Sequence, residues 1–203
     1  FRDVLNVLDL DPTRTMRPLG LECTSTVTAP AHSVGHLRSG DQVYGLALGC
    51  LATHICADAR LHVLRPQTLV HEEVATLPTL WSTIDLAFGS EGARIAAAQS
   101  VLIHAGTGGI GLMALDYAHL CSATVAASVG RPGKTALVQQ LGIATIVSSR
   151  SSSAFLTGAS RLIRGTRLRS VLSALTKEFI PASLALLSSG LYLEVGKNSI
   201  WSA

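Results

Sequence analysis

The sequence predicts an α/β protein in which a small β-rich segment precedes a parallel sheet built from strand–helix–strand units. Three observations lead there. From residue 99 onward, short apolar runs alternate with helical stretches at intervals of roughly ten to fifteen residues, the rhythm of βαβ units. Between residues 19 and 65, brief alternating or apolar runs are separated by Gly, Pro, Ser and Asp, the pattern of a small β domain. The composition, 48% hydrophobic and 14% charged over 203 residues, excludes a disordered chain, and 18 Gly with 7 Pro excludes a collagen-like repeat.

The expected strands of the first part are 22–29, 42–46, 51–57 and 60–64, with Gly40-Asp41 turning the chain into the second of them. From His71 the period changes. Glu72 and Glu73 open a helical segment carrying Leu77, Trp81, Ile84, Leu86 and Phe88 and closed by Gly89, and Pro78 either kinks it or starts its second half. The alternation then predicts a strand at 100–105, a helix at 111–118, a strand at 123–129, a helix at 133–141 and a strand at 144–147. It continues through 170–175, 181–187 and 191–195.

Charge divides the chain more sharply than its net +3 indicates. Residues 1–116 hold 11 acids and 7 bases, whereas 117–177 hold no acid and eight bases: Arg131, Lys134, Arg150, Arg161, Arg164, Arg167, Arg169 and Lys177. That half is either a solvated basic face or a surface suited to an anion. Between Arg131 and Lys177 the only aromatic is Phe155, and no nucleic-acid-binding signature occurs, so no nucleic-acid partner is expected. A phosphate-rich small ligand or an acidic protein fits better. No membrane partner is expected either, since no apolar run approaches the roughly 18–20 residues of a span.

Gly106-Thr107-Gly108-Gly109-Ile110-Gly111 contains G-x-G-x-x-G directly after an apolar strand and directly before a helical stretch. In that context the first glycine permits a tight turn, the second admits a pyrophosphate to the backbone, and the third lets helix pack on strand. The alternative is a packing turn without ligand. An NAD site would carry Asp or Glu at the end of the next strand. That end reads Ala127-Ser128-Val129-Gly130-Arg131, with Lys134 following, so two cations stand ready for a 2′-phosphate and NADPH is favoured. Either cation could equally be an ordinary exposed helix-start residue.

With these stretches the chain resembles the enoyl reductase domain of type I polyketide and fatty acid synthases, zinc-free medium-chain dehydrogenase/reductases related to quinone oxidoreductases. The resemblance covers nearly the whole chain and is carried by Phe1-Arg2-Asp3-Val4-Leu5-Asn6, Leu19-Gly20-Leu21-Glu22, Gly40-Asp41-Gln42-Val43-Tyr44-Gly45, Ala75-Thr76-Leu77-Pro78-Thr79, the stretch 101–111, Ser148-Ser149-Arg150 and Leu193-Glu194-Val195-Gly196-Lys197. It implies a partial GroES-like domain over 1–76 and a Rossmann-type domain over 77–203, its sheet incomplete, with NADPH in the cleft between. It also implies NADPH contacts at Gly106, Thr107, Gly108, Gly109, Ile110, Gly111, Ser128, Arg131, Lys134 and Arg150. The implied reaction reduces a trans-2-enoyl thioester on acyl carrier protein, with Lys197 as proton donor and other synthase domains in cis. For Lys197 the residues by themselves read as an exposed strand-end lysine. A homodimeric parent stays open, and so do a stand-alone quinone or alkenal reductase and a catalytically degenerate module.

Against zinc, Leu21 stands where zinc-dependent relatives carry a histidine before Glu22, and the seven histidines are scattered. His104 reads as a buried, hydrogen-bonded histidine rather than a base. No G-x-S-x-G elbow occurs. Cys23, Cys50, Cys56 and Cys121 form no C-x-x-C pair, which places the thiols by default in the cytoplasm. A mean hydropathy of +0.40 and two ends that read as cut give the expectation of a piece of a longer polypeptide.

Overall fold

A computed structural model describes residues 2–10, 17–163 and 168–196. The chain divides into two units, residues 1–82 and 83–203, and the division falls inside one helix.

The first unit opens with helix α1 (Arg2–Val7) and holds an antiparallel sheet of β1 (Glu22–Thr26), β2 (Gln42–Leu46) and β3 (His62–Leu64) in that order. Val43, 2% exposed, centres it and faces Ser25 on one side and Leu64 on the other. Two expectations change here. Residues 51–57 form a loop rather than a strand, and 59–61 are a short 3-10 turn capped by Asp58, whose side chain accepts from the Arg60 N–H. Among the described residues no strand lies in register for 51–57 to pair with, and Leu51 is exposed. Helix α2 (His71–Val74) is separate from α3 (Pro78–Phe88), and Pro78 starts the second helix, where its missing N–H costs nothing. Glu22 reaches the same helix start: its Oε2 accepts from Thr79 N–H at 2.8 Å, placing a carboxylate at the positive end of α3.

The second unit is a five-stranded parallel sheet in the order β6-β5-β4-β7-β8, formed by β4 (Ser100–Ile103), β5 (Thr124–Val129), β6 (Thr145–Ser148), β7 (Leu168–Ser173) and β8 (Leu187–Glu194). Helices α4 (Gly109–Leu120), α5 (Pro132–Gln140), α6 (Ser152–Ile163) and α7 (Phe179–Leu184) connect the strands. Strands run outward from β4 to β6, then the chain returns to β7 on the other side of β4. That reversal makes a topological switch point at the carboxyl end of β4, the place where open α/β sheets bind ligands. The architecture is a Rossmann-type parallel sheet.

All four residues of β4 are buried, as a central parallel strand covered on both faces requires. One face packs Leu102, Ala126, Val147 and Val171 against Phe155 and Ala159 of α6 and Ala182 of α7. Successive strand residues point to opposite faces, so Ala127 looks the other way, toward Gly106 at the start of the loop into α4. Helix α6 falls outside the sequence expectation. Ser151 starts it, its Oγ accepting from Ala154 N–H, and Phe155 and Ala159 at i, i+4 bury its inner side.

Candidate functional site

The glycine-rich turn lies at the switch point, between β4 and α4. Two of its glycines are demanded by packing. A Cβ on Gly106 would come within 3.0 Å of the Ala127 Cβ, and one on Gly111 within 2.3 Å of the Ala105 carbonyl oxygen. Gly108 is different. Its φ of −82° and ψ of 167° suit any residue, and an added Cβ would meet only the Ala105 carbonyl oxygen, at 3.4 Å. Nothing among the described residues requires a glycine there, while Gly108 and Gly109 are exposed. The helix behind them has no side-chain cap on its N-terminus. Exposed glycine backbone ahead of uncapped N–H donors and a partial positive charge is a cradle that fits a pyrophosphate and that a side chain would fill. Thr107 and Ile110 are half-buried between them.

The loop is held from below. Ala105 sits in the left-handed region at φ 51°, a strained position for a residue with a Cβ. Its N–H donates to Ser128 Oγ at 3.1 Å, and the Gly106 N–H donates to the Ser128 carbonyl at 3.0 Å. Ser128 is wholly buried with its hydroxyl engaged inside the protein, so it bears on a ligand only through the loop it holds. His104, 2% exposed, places Nδ1 3.0 Å from Ser128 Oγ and Nε2 2.8 Å from Ser183 Oγ. Burial lowers its pKa to about 4, so the ring is uncharged at neutral pH. It is the buried, bonded histidine the sequence suggested.

The cations gather at the end of β5. Arg131 precedes α5, Pro132 begins it, and Lys134 lies in its first turn; Arg131 and Lys134 are exposed. Arg150 comes from the β6–α6 connection, which the Ser149 N–H ties to the Val129 carbonyl at 2.9 Å. The Arg150 guanidinium lies over Gly130, its Nε 2.8 Å from where a Cβ would stand, so glycine at 130 is what lets it approach. A groove of about 580 Å³ runs along this end, walled by Gly130, Arg131, Pro132, Thr135, Ile146 and Ser148.

At the end of β8, Glu194 accepts from the Gly196 N–H at 2.7 Å, and the Tyr192 hydroxyl lies 2.8 Å from Ser173 Oγ and 3.3 Å from Glu194, its single proton serving one of the two. The proposed proton donor, Lys197, lies outside the described residues. Glu22, Ser183 and Glu194 were not singled out as side chains in the sequence, because their partners are distant along the chain or belong to turns that sequence spacing does not reveal. Among the described residues, no group of His, Cys, Asp or Glu is arranged to hold a metal ion, and no helix is long and apolar enough to cross a membrane.

No protein-family model matches the chain. A highly reducing polyketide synthase from Gibberella zeae is 34% identical over 204 residues, which cover 98% of this chain and 8% of the synthase. The crystal structure of CurK enoyl reductase superimposes with a TM-score of 0.88 at 32% identity, covering 99% of this chain and 63% of CurK. A mycobacterial protein solved in complex with NADPH gives a TM-score of 0.82 at 25% identity, over 98% of this chain and 62% of that one. The chain thus spans less than a tenth of the synthase it matches and under two thirds of the two solved proteins. By sequence along nearly its whole length, and by fold, it is a relative of the enoyl reductase domains of polyketide synthases.

Proposed function

We propose that the chain is an NADPH-dependent enoyl reductase module of a cytoplasmic, multidomain polyketide or fatty acid synthase, acting on a trans-2-enoyl thioester held by an acyl carrier protein. Residues 1–76 would serve the substrate side and 77–203 the cofactor side. The observation that carries the reading is Gly108: the fold has no need of a glycine there, and a pyrophosphate does. Kinship with reducing synthases supports the substrate class.

Bound NADPH would supply a hydride to the β-carbon of the enoyl thioester. The chain's own part is to hold and orient. The N–H groups at the start of α4 receive the pyrophosphate, and the end of β5 offers no acid to repel a 2′-phosphate. Arg131, Lys134 and Arg150 offer charge-assisted contacts, each worth roughly 1.5–3 kcal/mol, or one to two decades in affinity. Lys197 would deliver the proton to the α-carbon as enolate charge collapses, and the hydrogen-bonded Glu194 steadies the strand end that leads to it.

The test is an NADPH titration by nicotinamide fluorescence followed by a crotonyl-thioester assay on the full-length protein. Tighter binding of NADPH than NADH and one NADPH consumed per thioester reduced are expected, with Lys197→Ala lowering kcat by about 10²–10⁴. Failure to bind either dinucleotide overturns the reading, and turnover with quinones but not thioesters replaces it with that of a stand-alone quinone reductase.

A further inference from the structure

The hydrogen bonds around His104 run in one direction. Ser183 has a single hydroxyl proton and gives it to the Phe179 carbonyl at 2.6 Å, so toward His104 it can only accept. The Nε2 nitrogen of His104 must therefore carry the ring proton, which leaves Nδ1 as an acceptor, and Ser128 as the donor to it. Having donated, the Ser128 oxygen is free to accept the Ala105 N–H. The sequence of donors is thus Ala105 N–H to Ser128, Ser128 O–H to His104 Nδ1, His104 Nε2–H to Ser183, and Ser183 O–H to the Phe179 carbonyl. Each member is used, and three of them are essentially out of solvent.

The chain starts at the one strained backbone position of the glycine-rich loop, Ala105, and ends on α7, an element 74 residues downstream by its Phe179 anchor. Phe155 of α6 packs against the imidazole with ring centroids 5.5 Å apart and against Phe179 at 5.6 Å, so aromatic contacts fix the ring plane that the bonds require. The Gly108 N–H in turn donates to the Ala105 carbonyl at 2.8 Å, so the conformation of Ala105 sets where Gly108 lies.

We infer that His104, as its Nε2–H tautomer, is a positioning residue for the dinucleotide, holding Ser128 so that its hydroxyl keeps Ala105 in the left-handed conformation that presents Gly108 to the pyrophosphate. The inference rests on the enoyl reductase reading for the identity of the ligand, and on the hydrogen-bond directions for its mechanism. It distinguishes the two sides of the ring. The Nδ1 side acts on the loop, whereas the Nε2 side anchors the ring to α7.

Asparagine places an acceptor where Nδ1 stands and glutamine places a donor where Nε2 stands, so each keeps one bond and loses the other. In the full-length protein, NADPH affinity is measured for wild type, His104→Asn, His104→Gln, His104→Leu and Ser128→Ala, alongside melting temperature. Wild-type-like affinity is expected for His104→Asn. The other three variants should bind about tenfold more weakly, the net worth of one hydrogen bond, with KM for NADPH raised and kcat at saturating NADPH retained. Should His104→Leu fail to fold, the Asn, Gln and Ser128→Ala proteins carry the same comparison. Affinity that follows melting temperature alike in Asn and Gln variants overturns the inference, as does unchanged affinity in Ser128→Ala; in either case a wild type that binds NADPH leaves the reductase reading standing. A wild type that binds no dinucleotide overturns both.

Discussion

The two sheets use much the same residues and bury them very differently. Val101, Leu102 and Ile103 of β4 are fully buried, whereas Val63 and Leu64 of β3 are more than half exposed, and β1 has no fully buried residue. A parallel strand between two neighbours and under helices on both faces has nowhere to expose a side chain. A three-stranded antiparallel sheet has one central strand, and Val43 and Gly45 of that strand are buried, with His62 of β3 beside them. An apolar strand is therefore evidence of a core only when its layer is known. The same contrast bears on the glycine-rich loop: on the parallel sheet it rests on a close-packed floor that holds the strained Ala105 backbone in place.

The sharpest way to break that contrast is truncation. Phe155→Ala, in the packed layer between α6 and the sheet, is expected to cost about 3–5 kcal/mol, while Val63→Ala on the open sheet should stay within about 0.5 kcal/mol. Urea denaturation measures both, and similar costs would erase the distinction.

A second effect comes from the floor beneath the loop. The His104 pKa falls from 6.5 to about 4 on burial, so between those values the unfolded chain binds the proton and the folded chain does not. Stability from this group is complete above about pH 6.5 and is lost as the pH falls toward 4, a total on the order of 3 kcal/mol. The stability gap between wild type and His104→Leu should accordingly narrow as pH falls from 7 to 4; a constant gap would mean the ring is not buried as described.

How much of this could be read from the sequence follows the range of the interactions. Strand–helix alternation and the glycine turn depend on neighbours in sequence, and 100–105, 111–118 and 123–129 map closely onto β4, α4 and β5. Helix α6 escaped because its start lies in a serine-rich patch, although Ser151 with Phe155 and Ala159 carried a capping and spacing signal. The apolar run at 51–57 suggested a strand because composition cannot say whether a partner lies in register. Within the candidate site, Gly106, Gly108, Gly111 and the cations were visible as a motif. The hydrogen-bonded set His104–Ser128–Ser183 was not, since its members are 24 and 79 residues apart and only folding brings them together. The same holds for Glu22 and Thr79.

Two smaller tests sharpen the comparison. Glu22→Ala removes the carboxylate at the start of α3 and should cost about 1 kcal/mol, with Glu22→Gln recovering part of it; no loss by thermal denaturation would show that the helix end is satisfied by water. Ser170 is buried on β7 with a hydroxyl that has no hydrogen-bond partner among the described residues. Ser170→Ala should therefore be neutral or stabilise by up to about 1 kcal/mol, and a clear destabilisation would reveal a bond to that hydroxyl.

Gly108→Val separates a loop built around a ligand from a loop built around its own packing. The backbone angles there accept valine, and among the described residues an added Cβ would meet the Ala105 carbonyl oxygen alone, at 3.4 Å, so the fold should tolerate it. With circular dichroism and melting temperature close to wild type, NADPH affinity measured by nicotinamide fluorescence is expected to fall about a hundredfold or more, since a side chain would fill the space the pyrophosphate needs. A folded Gly108→Val protein that binds NADPH as tightly as wild type would show that the loop is a packing turn without ligand.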